Sequence, residues 1–154
     1  MPSFKTMRRV RHSAGQMFDL VADVERYPEF VPLCQSLRVR RRTSGENGAE
    51  VLLCDMAVGY RAIREKFTSR VTLDRAALKV LVEYVEGPFS YLENTWNFHD
   101  EAEPPDSRIE FFISYEFRSR ILAGLMGSMF DTAFRRFAQA FETRADAVYG
   151  RQPG

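Results

Sequence analysis

Side chains able to carry out acid–base, nucleophilic or metal chemistry are few in this sequence, and their spacing does not group them. The two histidines are His12 and His99. Neither has a His, Cys or carboxylate companion at helical or strand spacing, so no metal site is expected. Both read as solvated, His12 beside a helix start and His99 at a strand end next to Asp100. Cys34 and Cys54 lie far apart in the chain. With no base in view for Cys34, it reads as a buried structural thiol, and the pair as reduced cysteines of a cytosolic chain. Asp55 and Glu65 fall in strands where apolar residues are usual. Solvent is the favoured side for them, and a pocket, where they would bind a ligand's polar head, is the alternative. No G-x-S-x-G elbow, phosphate-cradling glycine loop or dinucleotide fingerprint occurs. The expectation is a protein that is not an enzyme and uses neither metal nor cofactor.

The sequence is rich instead in large, soft apolar side chains: thirteen Phe, six Tyr, one Trp and six Met in 154 residues. Such a set can desolvate an apolar ligand, provided that it lines a space it does not fill. The strands offer Phe67, Leu92, Trp96, Phe111, Ile113 and Tyr115, and a C-terminal helix offers Leu122, Met126, Met129, Phe130 and Phe134.

The elements that must position these residues follow from periodicity. Phe4–Val10 reads as a strand. Ser13 and Gln16 form a capping-box signature for a helix carrying Met17, Phe18, Val21 and Val24 on one face, which Pro28 is expected to end. A meander of strands is expected over Ser36–Thr43, Glu50–Val58, Arg61–Leu73, Leu78–Val85, Tyr91–His99 and Arg108–Phe117, with turns at Ser44–Gly48, Gly59–Tyr60, Asp74–Ala77, Glu86–Pro88 and Ala102–Ser107. Alternation is clearest in Ile109, Phe111, Ile113, Tyr115 and Phe117. A helix of roughly 45 Å then runs from about Ser119 to Tyr149. Its apolar stripe is Leu122, Met126, Met129, Phe130, Ala133, Phe134, Phe137, Phe141 and Val148, and Gly150 and Pro153 stop it. An antiparallel sheet with one apolar face and a helix with one apolar stripe must bury each other, which gives an α+β fold. Residues 1–150 read as one domain that binds an apolar ligand and 151–154 as a tail.

Charge is balanced, with 22 Lys and Arg against 21 Asp and Glu, so no global field points to nucleic acid. Locally, Lys5, Arg8, Arg9 and Arg11 and then Arg38, Arg40, Arg41 and Arg42 stand out; a solvated, edge-protecting role is the favoured reading, and one basic patch for anionic lipid or RNA, if the first two strands are neighbours, is the alternative. No apolar run follows the basic start of the chain, so no signal peptide is expected. The longest greasy stretch, Ile121–Phe130, is half the length needed to span a bilayer. It contains Gly124 and Gly127, which weaken a helix. Two readings stay open for it: a mobile gate that opens a pocket or dips into lipid, and a tightly packed start where glycine permits close approach.

Three segments carry a resemblance: Met17-Phe18-Asp19-Leu20-Val21-Ala22-Asp23-Val24-Glu25-Arg26-Tyr27-Pro28-Glu29-Phe30-Val31-Pro32, then Gly87-Pro88-Phe89 with Leu92 and Trp96, and Phe134-Arg135-Arg136-Phe137. Over almost its whole length the chain resembles the helix-grip (START / Bet v 1-like) domains, and within them the coenzyme-Q-binding branch related to polyketide cyclases and to bacterial ribosome-association toxins of the RatA type. The resemblance implies a curved antiparallel sheet of about seven strands around a long C-terminal helix. It also implies a tunnel between them for ubiquinone or a similar polyprenyl quinone, bound as cargo by a lipid chaperone or carrier that supports respiration and quinone biosynthesis. Tyr27, Pro28, Phe30, Phe89, Leu92 and Trp96 fall on the family-like segments and are expected at the pocket or its mouth. Leu33 stands where an aromatic residue would be expected. The corresponding location is cytoplasmic, with peripheral contact at the inner face of a membrane. A ribosome-binding inhibitor of translation, using Arg38, Arg40, Arg41 and Arg42 on RNA, is the alternative, and a polyketide-cyclase-like enzyme the second.

Overall fold

The computed structural model describes residues 3–60 and 63–150. Strand β1 (Ser3–Val10) leads into helix α1 (Ala14–Ala22) and a short 3-10 helix (Val24–Glu29). Strands β2 (Cys34–Ser44), β3 (Glu50–Tyr60), β4 (Ile63–Asp74), β5 (Lys79–Glu86), β6 (Phe89–Asp100) and β7 (Ser107–Phe117) follow, and helix α2 (Arg120–Tyr149) ends the described chain. The strands form one antiparallel sheet in the order β1-β7-β6-β5-β4-β3-β2. This is the expected seven-stranded helix-grip arrangement. Consecutive hairpins build the meander, and β1 pairs with the last strand because α1 carries the chain across from one edge to the other.

Local chemistry accounts for most of the boundaries. Ser13 Oγ accepts from Gln16 N at 3.1 Å while Ser13 N donates to Gln16 Oε1 at 3.0 Å, the reciprocal cap expected of that pair. The α-helix it starts ends at Ala22, however, and not at Pro28: Asp23 leaves helical geometry (ψ 66°), and Pro28 sits inside the 3-10 helix that follows. Gly59 and Tyr60 continue β3, pairing with Arg64 and Ile63. The turn they were expected to make thus falls on residues 61 and 62, which lie outside the described residues, as does the tail 151–154 with Pro153. Leu78 belongs to the turn before β5, at φ 51°. At Gly87, φ is +145° and an added Cβ would lie 2.5 Å from Phe67 Cβ; the β5–β6 turn therefore rests directly on β4 only because glycine is there.

The core lies between the concave face of the sheet and α2. Ile109, Phe111, Ile113, Tyr115 and Phe117 all point inward from β7. On β6 a bulge between Phe89 and Tyr91 shifts the alternation, so that Phe89 joins Leu92, Trp96 and Phe98 on the inner face. Helix α2 presents Met126, Phe130, Phe134 and Phe141 to this face, but Val148, expected on the same stripe, is exposed. The last turns pack on the β1–α1 corner instead, through the Tyr149 hydroxyl, which donates to Gln16 O at 3.1 Å. That packing also overturns the solvated reading of His12, which is fully buried beneath α2 with Nε2 2.7 Å from Asp146 Oδ1. His99 does remain at the surface, 3.5 Å from Glu110.

Candidate functional site

Between α2 and the middle of the sheet lies a cavity of about 100 Å³. The 3-10 helix and the turn after it supply Val24, Tyr27, Val31, Pro32 and Leu33. Strands β2 to β5 supply Cys34, Leu37, Cys54, Met56, Val58, Phe67, Ser69, Val71 and Val82. Strands β6 and β7 supply Leu92, Asn94, Trp96 and Ile113, and α2 supplies Phe130, Ala133, Phe134, Phe137 and Phe141. The space exists because α2 approaches α1, β1 and β7 with its backbone and stands away from the central strands.

Of the residues expected at a ligand site, the structure brings Tyr27, Phe67, Leu92, Trp96, Ile113, Phe130 and Phe134 to this cavity. The others do not border it. Pro28 is exposed in the 3-10 helix. Phe30 stands behind Tyr27 and packs edge-on against Phe141 at 5.0 Å. Phe89 is the centre of an aromatic plug, stacked on Phe117 at 4.8 Å and edge-on to Phe67 and Tyr84. Phe111 lies behind Trp96 at 4.7 Å, and Tyr115 between Phe117 and Phe134. Leu122, Met126 and Met129 pack on the core without reaching the cavity wall. The inner positions of β2 to β5, such as Leu37, Met56, Val71 and Val82, escaped sequence reasoning. So did Ser69 and Asn94, although both obey the strand alternation that marks an inward position.

The cavity wall is apolar and carries no Asp, Glu, Lys, Arg or His. The Tyr27 hydroxyl donates to Val21 O, and burial raises its pKa. Burial likewise pushes both thiols, Cys34 and Cys54, up to about 11, which leaves them neutral at physiological pH and poor nucleophiles. Asp55 faces outward, where Arg40 grips its carboxylate at 2.6 and 3.0 Å and Thr68 donates to it at 2.7 Å. Such a wall can exclude water from a neutral, hydrophobic guest, and it offers no acid–base pair. Among the described residues, no group of three or more His, Cys, Asp or Glu could hold a metal ion, and no helix is long and apolar enough to cross a membrane.

An ionic link ties the 3-10 helix to α2. Arg144 on α2 donates to Glu29 at 2.6 Å, Arg26 holds the other carboxylate oxygen at 3.1 Å, and the Arg144 guanidinium lies 5.0 Å over the Phe30 ring. The hydrogen bond from Arg144, then that from Arg26, lowers the Glu29 pKa below its ordinary value. A depressed carboxyl pKa stabilises the folded state fully above the unfolded value, and the contribution is lost as pH falls through the folded value. The Glu29→Gln variant is thus expected to be less stable than the parent at pH 7 and equal to it well below pH about 4. Urea midpoints measured at both pH values check this; a difference that persists in acid would assign the effect to packing.

The two arginine-rich stretches do not form one patch, because β1 and β2 are opposite edges of the sheet. On β1, Arg8 pairs with Glu142 and Arg9 with Asp106. On the convex face, Arg38 and Arg41 of β2 are joined by Arg64, Lys66 and Arg70 of β4, all exposed.

A family model described as polyketide cyclase / dehydrase and lipid transport matches residues 10–142. The ribosome association toxin RatA of Rickettsia prowazekii is 32% identical over 151 residues, covering 96% of this chain and 99% of the toxin. A mitochondrial coenzyme Q-binding protein of Xenopus laevis, COQ10 homolog B, is 32% identical over 143 residues, which are 91% of this chain and 56% of that protein. Among solved structures, an 18 kDa protein from Caulobacter crescentus superposes with a TM-score of 0.78 at 30% identity, covering 98% of this chain and 100% of the other.

Proposed function

The chain belongs to the polyketide cyclase / dehydrase and lipid transport family, and we propose that it binds a polyprenyl quinone of the ubiquinone type as a carrier or chaperone, without transforming it. The observation that carries this reading is the cavity between α2 and the sheet, whose wall is largely apolar and free of charged side chains. A neutral ring bearing an isoprenoid chain loses little on leaving water for such a wall, and each Å² of its apolar surface gains roughly 25 cal/mol. The coenzyme Q-binding name of a relative supports the same ligand class. The cavity of about 100 Å³ compares with about 150 Å³ for one that admits a benzene ring. The closed state therefore has room for little more than part of a head group, and the isoprenoid chain enters by displacing side chains and α2. Loading and release take place peripherally at a membrane surface. Organic extraction of the purified protein, followed by mass spectrometry and by titration with added ubiquinone, tests the reading. Quinone in the extract or saturable uptake is expected; failure of both overturns it.

A second reading is ribosome association. It is favoured by the full-length match to a ribosome association toxin and by the cations on the convex face of β2 and β4, where phosphates could release counterions. Co-sedimentation with ribosomal subunits, lost in an Arg38→Glu/Arg41→Glu variant, is its expected signature. The cyclase alternative has the least support, since the cavity wall lacks an acid–base pair.

A further inference from the structure

Ser69 is an unusual occupant of its position. It points inward from β4 between Phe67 and Val71, opposite Cys54 on β3, and is 3% exposed. Its hydroxyl makes no side-chain hydrogen bond among the described residues, although it borders the cavity. The hydroxyl opens onto the cavity, so it is a neutral donor and acceptor that a guest would meet on an otherwise apolar stretch of wall. Asn94 is a further polar residue on the wall. Its Nδ2 donates to Phe112 O at 2.8 Å and its Oδ1 accepts from Trp96 Nε1 at 3.0 Å. These bonds fix the amide plane and leave one N–H and one lone pair unused. Val71, Val82 and Asn94 form one row across β4, β5 and β6, and Ser69 is the next inward residue along β4. The backbones that carry the two polar groups are thus roughly 12 Å apart, two strand spacings across and two residues along the concave wall.

We propose that Ser69 and Asn94 form the head-group subsite of this cavity and hold the two oxygens on opposite sides of a quinone ring, while the isoprenoid chain follows the Phe and Met side chains toward the start of α2. The inference rests on the quinone reading above. Ser69 and Asn94 can each donate or accept, so the subsite serves carbonyl oxygens and, equally, the hydroxyls of the reduced ring. Recognition by two neutral groups also explains how a cavity without charges could prefer a quinone to a plain hydrocarbon.

The test uses Trp96, the one tryptophan, which borders the cavity and reports occupancy by quenching. Affinities are measured for a short-chain ubiquinone and for an isoprenoid hydrocarbon of equal length without ring oxygens. Ser69→Ala removes the hydroxyl alone and is expected to leave the melting temperature nearly unchanged. Ser69→Thr and Ser69→Val share one shape and differ in the hydroxyl. Ala and Val variants are expected to lose roughly fivefold to tenfold in quinone affinity, the worth of one neutral hydrogen bond, with hydrocarbon affinity unchanged; the Thr variant is expected to keep both. Equal losses for both ligands, or no loss for quinone, would overturn the subsite and leave the quinone reading standing. A parent protein that takes up no quinone overturns the reading, and the subsite with it. Should the Val variant fail to fold, the comparison of Ala with Thr decides.

Discussion

Replacing Phe141 by Ala is expected to cost about 3–5 kcal/mol of folding stability, the range for truncating a large buried aromatic. Phe141 is 1% exposed on α2 and is the joint of three elements. Its ring lies edge-on to Tyr27 at 5.3 Å and Phe30 at 5.0 Å from the 3-10 helix, and to Trp96 at 4.9 Å from β6. Each such pair adds to simple burial, and losing all three uncouples the rim from the helix that covers it. For a domain held by roughly 5–15 kcal/mol, that is a large fraction of the total. Urea unfolding followed by Trp96 fluorescence measures it. The same truncation enlarges the cavity it borders, so added quinone is expected to restore more stability to the variant than to the parent. A cost below about 1 kcal/mol, the scale of a surface change, would show that the joint is not formed.

The contrast between Phe141 and Phe89 explains how much of the site could be read from the sequence. Strand order, the long helix and the alternation of β7 were legible because each is a local periodicity. The cavity is a difference of volumes, and no local pattern records it. Sequence reasoning favoured the bulkiest aromatics, yet Phe89 and Phe111 are almost wholly buried because they fill space. The wall is made largely of medium-sized residues such as Val71, Val82 and Met56, which stop short of α2. His12 was misplaced for a related reason: a single residue in a turn has no periodicity, and only the packing of the last turns of α2 over the β1–α1 corner buries it. Whether the two basic stretches join depends on strand order, which no local pattern records; α1 carries the chain between the two edges, so each stretch lies on its own edge strand.

Replacing both Gly124 and Gly127 by Ala is expected to stabilise the protein and slow ligand uptake. An added Cβ at either position meets no atom within 4 Å, which rules out close approach as the reason for glycine there. Each substitution should favour the helix by up to about 1 kcal/mol. The first turns of α2 are held at one end by the Ser119 cap, whose Oγ accepts from Leu122 N at 3.2 Å, and by Arg118, which donates to Phe89 O at 2.9 Å. Beyond this hinge, Ile121 is 77% and Leu125 55% exposed, while Met126 is fully buried, so opening these turns has chiefly to withdraw Met126 from the core. From Phe130 onward the helix borders the cavity and carries the Phe141 joint. If the guest enters by unwinding of the Gly-containing turns, stabilising them by about 2 kcal/mol lowers the open population, and hence the uptake rate, roughly 30-fold. Stopped-flow quenching of Trp96 measures that rate, and hydrogen exchange of residues 120–129 measures the opening itself. Protected amides with an unchanged uptake rate would show that α2 swings as a rigid body instead, with the guest passing between an intact helix and the ends of β3 and β4.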